Sequence, residues 1–186
     1  ISRYAFEKCS SLKNVNIAEG LKKIGDFAFD GCSKLENIKL PDSLEIIENA
    51  AFRDCTSLVN IKIPNGVTGI GESAFDSCSG LTEINIPKSI TKIETGTFAW
   101  CENLKKIEIP ENVKSIGGVA FFRCVSLEKV IIPEGIERIE GGTFADCNNL
   151  TNVTIREGVK YIDAGAFDRV IEKKNIGIDI PISVQE

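Results

Sequence analysis

The sequence predicts a β-rich, α/β-type repeat solenoid, in which short units of one length stack on one another. The first observation behind this prediction is that phenylalanine recurs every 23 residues. The eight positions are Phe6, Phe29, Phe52, Phe75, Phe98, Phe121, Phe144 and Phe167. The second observation is that cysteine keeps the same step from Cys9 to Cys147, and leucine keeps it from Leu12 to Leu150. No insertion or deletion interrupts the step, and a fixed period of this length is typical of solenoids.

The third observation is an alternating apolar segment in every unit. In the stretch LKKIEIP, Ile107 and Ile109 alternate with Lys106 and Glu108. Alternation with a period of two residues predicts a strand with one buried face. One such strand per unit predicts a parallel sheet, with neighbouring strands ~4.8 Å apart.

The remaining parts of the unit follow in order after the strand. Proline suits the end of a strand because it has no N–H group for the ladder. It stands there at Pro41, Pro64, Pro87, Pro110 and Pro133. A V-x-x-I step, such as Val113 and Ile116, then turns two apolar side chains back to the core. The segment A-F-x-x-C-x-x-L has apolar residues at intervals of three, which predicts a short 3₁₀ segment.

The complete unit, A-F-x-x-C-x-x-L-x-x-[IV]-x-[IL]-P-x-x-[VIL]-x-x-I-G, resembles the BspA-type leucine-rich repeat, as in SIGGVAFFRCVSLEKVIIP from Ser115. We therefore expect a right-handed leucine-rich repeat array with a concave parallel β-sheet, about seven full coils and partial terminal coils. The resemblance implies a surface-exposed or secreted protein of host-associated bacteria or protozoan parasites. It also implies adhesion to extracellular-matrix proteins or other cells, and it brings no catalytic motif.

The domain boundaries follow from where the repeat weakens. We expect residues 1–167 to be the repeat array and residues 168–186 to be a degenerate eighth coil or C-terminal cap. Val170 replaces the cysteine there and Lys173 replaces the leucine. The residues that still keep the strand register are Ile176, Ile178 and Ile182. Ile1 takes the place of the last isoleucine of an earlier unit, and we expect the array to come from a larger protein.

Composition narrows the partners. The chain has 186 residues, 42% of them hydrophobic and 26% charged, which is an ordinary composition for a soluble domain or an elongated array. Its formal net charge of −5 argues against nucleic acid or an anionic membrane surface as the main partner. No stretch approaches the ~20 apolar residues of a membrane-spanning helix, so we expect no membrane insertion.

The seven cysteines are candidates for chemistry that the rest of the sequence does not support. The chain has no histidine and no C-x-x-C motif, which excludes the common zinc sites and Cys–His catalysis. Equivalent cysteines on stacked coils lie ~4.8 Å apart with parallel side chains, just beyond the ~3.5–4.5 Å Cβ separation of a disulfide. We favour a column of buried free thiols. One or more disulfides, or a reactive thiol, are the alternatives.

One repeat position carries a row of carboxylates that resembles a cation site. The acidic residues are Glu48, Glu94, Glu140 and Asp163, and Gly25, Gly71 and Gly117 alternate with them. Like charges then lie two coils, or ~10 Å, apart, which is too far for one ion. We interpret the row as a solvated edge, and we expect no catalytic, metal or cofactor site.

The outward positions of the strands are the first candidate ligand surface. Successive coils place Lys62, Asn85, Glu108 and Ile131 in one column of that surface. Ile131 is its one large aliphatic residue and its best anchor. Lysines outnumber glutamates over the whole surface, so it is mildly positive although the chain is acidic. A plain solvated sheet surface is the alternative.

Trp100 and Phe122 form the second candidate surface. They follow Phe98 and Phe121 at positions that small or polar residues fill in most other units. Clustered aromatic side chains are frequent at interaction hot spots, with a partner or with a second copy of the chain. Alternatively, each ring covers a neighbouring coil.

The repeat pattern, together with what the resemblance implies, favours a non-enzymatic extracellular or cell-surface binding module. The expected partner is an extracellular-matrix or cell-surface protein, or a glycan. The alternative is a rigid structural spacer, or a self-associating surface element, within a larger protein.

Overall fold

The protein, seen in a computed structural model that describes residues 1–170 and 177–179, is a parallel β-solenoid. Its 23-residue spacing gives about six turns. Strands and turns, but no helix, make up the described residues, and none of them therefore forms a helix able to cross a bilayer. The predicted β-rich solenoid is confirmed, whereas the α/β label and the count of seven full coils are not. The right-handed sense and the concave curvature stay predictions.

The strands are short and recur in pairs along the chain. In order they are β1 (Asn14–Asn16), β2 (Lys23–Ile24), β3 (Asn37–Lys39), β4 (Ile46–Ile47), β5 (Asn60–Ile61), β6 (Gly69–Ile70), β7 (Glu83–Ile84), β8 (Lys92–Ile93), β9 (Ser115–Ile116), β10 (Lys129–Ile132), β11 (Arg138–Ile139), β12 (Asn152–Ile155), β13 (Tyr161–Ile162) and β14 (Gly177–Asp179).

Two sets of parallel ladders run along the stack. The first set contains β1–β3, β5–β7 and β10–β12–β14. The second set, formed by the V-x-x-I part of each unit, contains β2–β4–β6, β8–β9 and β11–β13. Partners are 23 residues apart in every described pair except β12–β14. Lys106 joins the first set through a single bridge to Lys129. We call the exposed side of the first set the strand face.

The core lies between the ladders and the turn that carries the phenylalanine. Alternate strand residues point inward, so that Ile61 is buried beside exposed Asn60 and Lys62. Each repeat phenylalanine packs on the equivalent ring of the next coil, with 5.1–5.7 Å between ring centroids. A single coil has no second layer to cover these side chains, and stacking supplies it.

The segment around the phenylalanine is a series of turns, so the prediction of a 3₁₀ segment is wrong. The N–H groups alternate between two kinds of partner. That of Cys32 bonds to the carbonyl of Phe29 three residues earlier, whereas that of Phe29 bonds to Ala51 on the next coil. Residues with a left-handed backbone conformation recur along this segment, in this coil at Phe27 (φ 55°) and Gly31 (φ 72°). A 3₁₀ helix sends successive N–H groups to the same chain segment, which this alternation prevents.

The C-terminal end departs from the repeat. In the pairing of β12 with β14, Val153 lies opposite Ile178, 25 residues later. The uninterrupted register placed Ile178 opposite Ile155, so that prediction is wrong by two residues. Ile176, Ile182 and most of the predicted cap at 168–186 lie outside the described residues, and the cap stays a prediction.

Candidate functional site

The cysteine column has a packing role. All seven thiols are free, six are buried and Cys9 is exposed. Each buried thiol donates a hydrogen bond of 3.1–3.3 Å to a phenylalanine carbonyl on the preceding coil. The carbonyl of Phe29, for example, accepts from the N–H of Cys32 and from the thiol of Cys55. The thiol therefore satisfies the second lone pair of a carbonyl inside the core. The prediction of buried thiols is confirmed for six positions and wrong for Cys9.

Burial suppresses thiolate formation in this column. It raises the pKa of Cys32 to about 11 and that of Cys147 to about 12. The same desolvation raises the pKa of Cys78, Cys101 and Cys124 well above the ordinary value of 9.0. Thiolate is the reactive form of cysteine, so we expect the buried thiols to react slowly.

The row of carboxylates is held by contacts within the protein. Glu94 pairs with Lys92 at 2.6 Å, and Glu140 accepts a hydrogen bond from the Gly118 N–H at 2.6 Å. Within the described residues, no group of three His, Cys, Asp or Glu side chains is placed to hold a metal ion.

The glycines in this row have a steric cause that the sequence did not reveal. A Cβ atom on Gly71 would lie 2.5 Å from the backbone nitrogen of Asn49, on the preceding coil. On Gly117 it would lie 2.6 Å from that of Thr95. Close approach of the coils therefore requires glycine there, and the two-coil spacing of Glu48, Glu94 and Glu140 follows from it. Glu140 and Asp163 lie on adjacent coils, so the expected two-coil spacing is wrong for that pair.

A groove on the strand face brings four of the predicted ligand residues together. A cavity of about 620 Å³ has Lys62, Asn85 and Glu108 in its wall. A second cavity, of about 480 Å³, has Glu108 and Ile131. The two cavities share the residues Lys88, Lys106, Ile107, Glu108 and Pro110, so we treat them as one strand-face groove.

Asn85 and Ile131 are less available to a ligand than their outward positions in the repeat suggest. The amide of Asn85 donates to the carbonyl of Ile63 at 2.9 Å and accepts from its N–H at 3.1 Å. That amide therefore joins two coils and is already engaged, which leaves less of it for a ligand. Ile131 is half-buried, and one side of it faces the groove.

The two aromatic candidates lie outside the groove and contact each other. Trp100 and Phe122 form an edge-to-face pair with 5.6 Å between ring centroids. The guanidinium of Arg123 lies over the indole, 4.2 Å from its centroid. Trp100 still has 38% of its surface exposed. We call these three residues, with exposed Val119, the aromatic patch. Its internal contacts agree with the interpretation that the rings cover neighbouring coils, and its remaining exposure leaves room for a partner.

Two further residues of these surfaces, Arg123 and Lys88, stand out when equivalent repeat positions are compared. Arg123 follows Phe121 at the position that Trp100 holds one coil earlier. Lys88 stands at a position that is acidic or Asn in the other coils, namely Glu19, Asp42, Asn65, Glu111, Glu134 and Glu157. A reversal of charge within one column is the signal that identifies Lys88.

The chain is similar to known leucine-rich repeat proteins. A model of the BspA type leucine rich repeat region matches the chain in 6 copies, over residues 1–105 and 70–186. No curated protein matches the chain.

Three solved structures resemble it. A leucine rich cell surface protein from Faecalibacterium prausnitzii A2-165 is 29% identical over 98% of this chain and 64% of its own, with a TM-score of 0.53. A leucine rich repeat protein from T. pallidum is 31% identical over 87% of this chain and 65% of its own, with a TM-score of 0.56. A leucine-rich repeat protein from Eubacterium ventriosum shares the fold, with 22% identity over 92% of this chain and 47% of its own and a TM-score of 0.78. The chain spans less than two thirds of the length of each.

Proposed function

Because the chain belongs to the BspA-type leucine-rich repeat family, we propose that it is a non-enzymatic binding module on a cell surface, which holds a partner protein on its strand face. Leucine-rich repeat proteins of this kind are not known for enzymatic activity. The similar protein from Faecalibacterium prausnitzii is a cell surface protein, which supports the same location for this chain. Adhesion to a matrix protein or to a neighbouring cell is the specific role that we propose.

The observation that carries the proposal is the strand-face groove. Lys62, Glu108 and Ile131 come from different coils and open into one groove, so a single partner segment can reach all of them. Their neighbours along the groove include polar and apolar side chains. Sites that bind proteins commonly combine an apolar centre with a polar rim.

The test is a capture screen of the protein against extracellular-matrix proteins and glycans, followed by a titration of each binder. Ile131→Glu places a charge at the apolar part of the groove, and we expect it to weaken binding at least about tenfold. Asn16→Glu adds the same carboxylate at the equivalent position of an outer coil and is the control for the added charge. The proposal fails if both variants bind like the parent protein.

The aromatic patch supports a second candidate function, which is self-association. Trp100 and Val119 are exposed large apolar residues on adjacent coils, and such residues are frequent in protein contacts. Sedimentation of the samples used for the capture screen distinguishes the two functions. A dimer that dissociates in Trp100→Ala, combined with unchanged capture, supports self-association; a monomer in all samples refutes it.

A further inference from the structure

The strand-face groove concentrates lysines at positions where the repeat has other residues. One column of the strand face holds asparagine at Asn14, Asn37, Asn60 and Asn152. In the groove, which begins beside Asn60, the same column continues with Glu83, Lys106 and Lys129. The column that is acidic or asparagine in the other coils, from Glu19 to Glu157, holds Lys88 in the same groove. These departures from the repeat put three lysines and one glutamate in one place, which leaves a net positive charge there.

These lysines do not serve the fold in the way that other surface lysines do. Elsewhere a lysine often pairs with a carboxylate one coil away, as Lys22 does with Glu45 at 2.6 Å and Lys160 with Glu137 at 3.2 Å. In the described part of the chain, by contrast, no ion pair involves the groove lysines Lys62, Lys88, Lys106 and Lys129.

The pairing of the strands makes this arrangement unfavourable in the empty groove. Lys106 and Lys129 are direct partners across a parallel bridge. Like charges opposite each other on neighbouring strands destabilise a sheet. A negatively charged ligand removes that cost, because each ammonium group then gains a carboxylate.

The floor of the groove is apolar. Ile84, Ile86, Ile107 and Ile109 line it, and half-buried Ile131 adds a larger apolar surface. Five basic and three acidic residues line the groove, whereas the whole chain has a net charge of −5. Of these, Arg156 and Glu111 pair with each other, which leaves four lysines against Glu83 and Glu108.

We propose that the strand-face groove binds an extended acidic segment of the partner protein, one that also carries apolar side chains. This inference rests on the proposed function and names the chemistry of its partner. Lys88, Lys106 and Lys129 contact the carboxylates, and Ile107 and Ile131 contact the apolar side chains. A sulfated polysaccharide satisfies the lysines but leaves the isoleucines uncovered, so a peptide fits both features better.

The dimensions of the groove set the length of the segment. The lining residues come from five successive coils, from Asn60 to Arg156. At ~4.8 Å per coil the groove is about 19 Å long. An extended peptide advances about 3.3 Å per residue, so about six residues fill the groove.

The experiment measures the binding of fluorescein-labelled eight-residue peptides by anisotropy at low and high salt. We expect a peptide of alternating aspartate and leucine to bind, and to lose affinity as salt increases. A lysine–leucine peptide and an all-aspartate peptide are expected to bind at least about tenfold more weakly. A sulfated oligosaccharide of similar length is the competitor.

The variants return the groove to the composition of the repeat. Lys106→Asn combined with Lys129→Asn restores the asparagine of the other coils, so the fold is expected to tolerate it. We expect this double variant to bind the aspartate–leucine peptide about tenfold more weakly. Lys13→Asn combined with Lys34→Asn removes the same charge from exposed positions outside the groove and is the matched control.

Each outcome has one meaning. The inference is overturned if the aspartate–leucine peptide binds both double variants equally well. It is also overturned if the lysine–leucine peptide or the sulfated oligosaccharide binds the parent protein more tightly than the aspartate–leucine peptide does. If a captured protein is lost by Ile131→Glu but kept by the groove double variant, the proposed function stands and the acidic ligand does not. If no protein is captured but the aspartate–leucine peptide binds the groove, the acidic-ligand inference stands and the proposed adhesive function fails.

Discussion

The phenylalanine–cysteine column and the strand-face groove are built from the same repeat in opposite ways. In the column the coils supply the same side chains, and each buried thiol bonds to a phenylalanine carbonyl. In the groove successive coils supply different side chains, and two lysines face each other across a bridge. Regularity thus marks residues that hold the stack together, whereas the departures at Lys106 and Lys129 place like charges where the stack does not need them.

The largest effect is expected when a phenylalanine ring is removed from the middle of the column. Phe75 is fully buried between Phe52 and Phe98, at centroid distances of 5.4 and 5.7 Å. We expect Phe75→Ala to lower the free energy of unfolding by about 3–5 kcal/mol, because it leaves a cavity and removes two ring contacts. Urea denaturation followed by circular dichroism measures the loss.

The control for that change is the ring at the edge of the column. Phe6 has 39% of its surface exposed and stacks on Phe29 on one side. Phe6→Ala is expected to cost less than half as much as Phe75→Ala. Equal losses at the two positions contradict the role assigned to stacking.

The thiols provide the next largest effect, and it depends on pH. The unfolded chain releases its thiol protons above the ordinary pKa of 9.0, whereas Cys32, with a pKa of about 11, and Cys147, with a pKa of about 12, keep theirs when folded. The folded state therefore binds more protons than the unfolded state in this range, and stability falls as pH rises. The slope is up to about 1.4 kcal/mol per pH unit for each buried thiol.

Denaturation at several pH values between 8 and about 10 measures this slope, and thiol labelling checks the accessibility behind it. Cys101→Ala removes one of the six buried thiols and is expected to reduce the slope by about one sixth. With native protein, one thiol is expected to react quickly, that of Cys9, and with denatured protein all seven. Fast labelling of several native thiols refutes the buried column.

The column was predictable from sequence, because its residues report burial directly. A step of 23 residues, the alternation around Ile107 and the recurring phenylalanine each follow from which side chains avoid water. The same argument placed Lys62, Glu108 and Ile131 on one exposed surface, and the structure brings them into one groove.

What could not be predicted depends on the backbone. Left-handed conformations occur at Ala50, Val119 and Trp100, residue types that carry no sequence signal for that conformation. Bonds between coils hold them there, as in the bond from the Trp100 N–H to the Phe122 carbonyl at 2.7 Å. The engagement of Asn85 with Ile63 likewise needs the spacing of two coils, which a single repeat does not show.

The smallest expected effect is an increase in stability on substitution of a groove lysine. It separates the groove from the column, where substitutions are expected to lower stability. Lys129 lies beside Lys106 on one side and Asn152 on the other. Lys129→Asn removes the repulsion and allows an amide contact like the one between Asn37 and Asn14, which is 3.1 Å long. We expect the free energy of unfolding to rise by about 0.2–1 kcal/mol at low salt, and the gain to shrink as salt screens the lysines.

Lys105→Asn is the matched control for this gain. The backbone of Lys105 bonds to Thr82 and Glu128 on the two neighbouring coils, so neither of its neighbours in the column is a second lysine. We expect that change to leave stability unchanged or to lower it. If Lys129→Asn destabilises the protein as much as Lys105→Asn does, then Lys129 serves the stack, and departure from the repeat no longer identifies residues kept for binding. If Lys129→Asn stabilises the protein while it weakens the acidic peptide, the groove lysines are kept for binding at the expense of the fold.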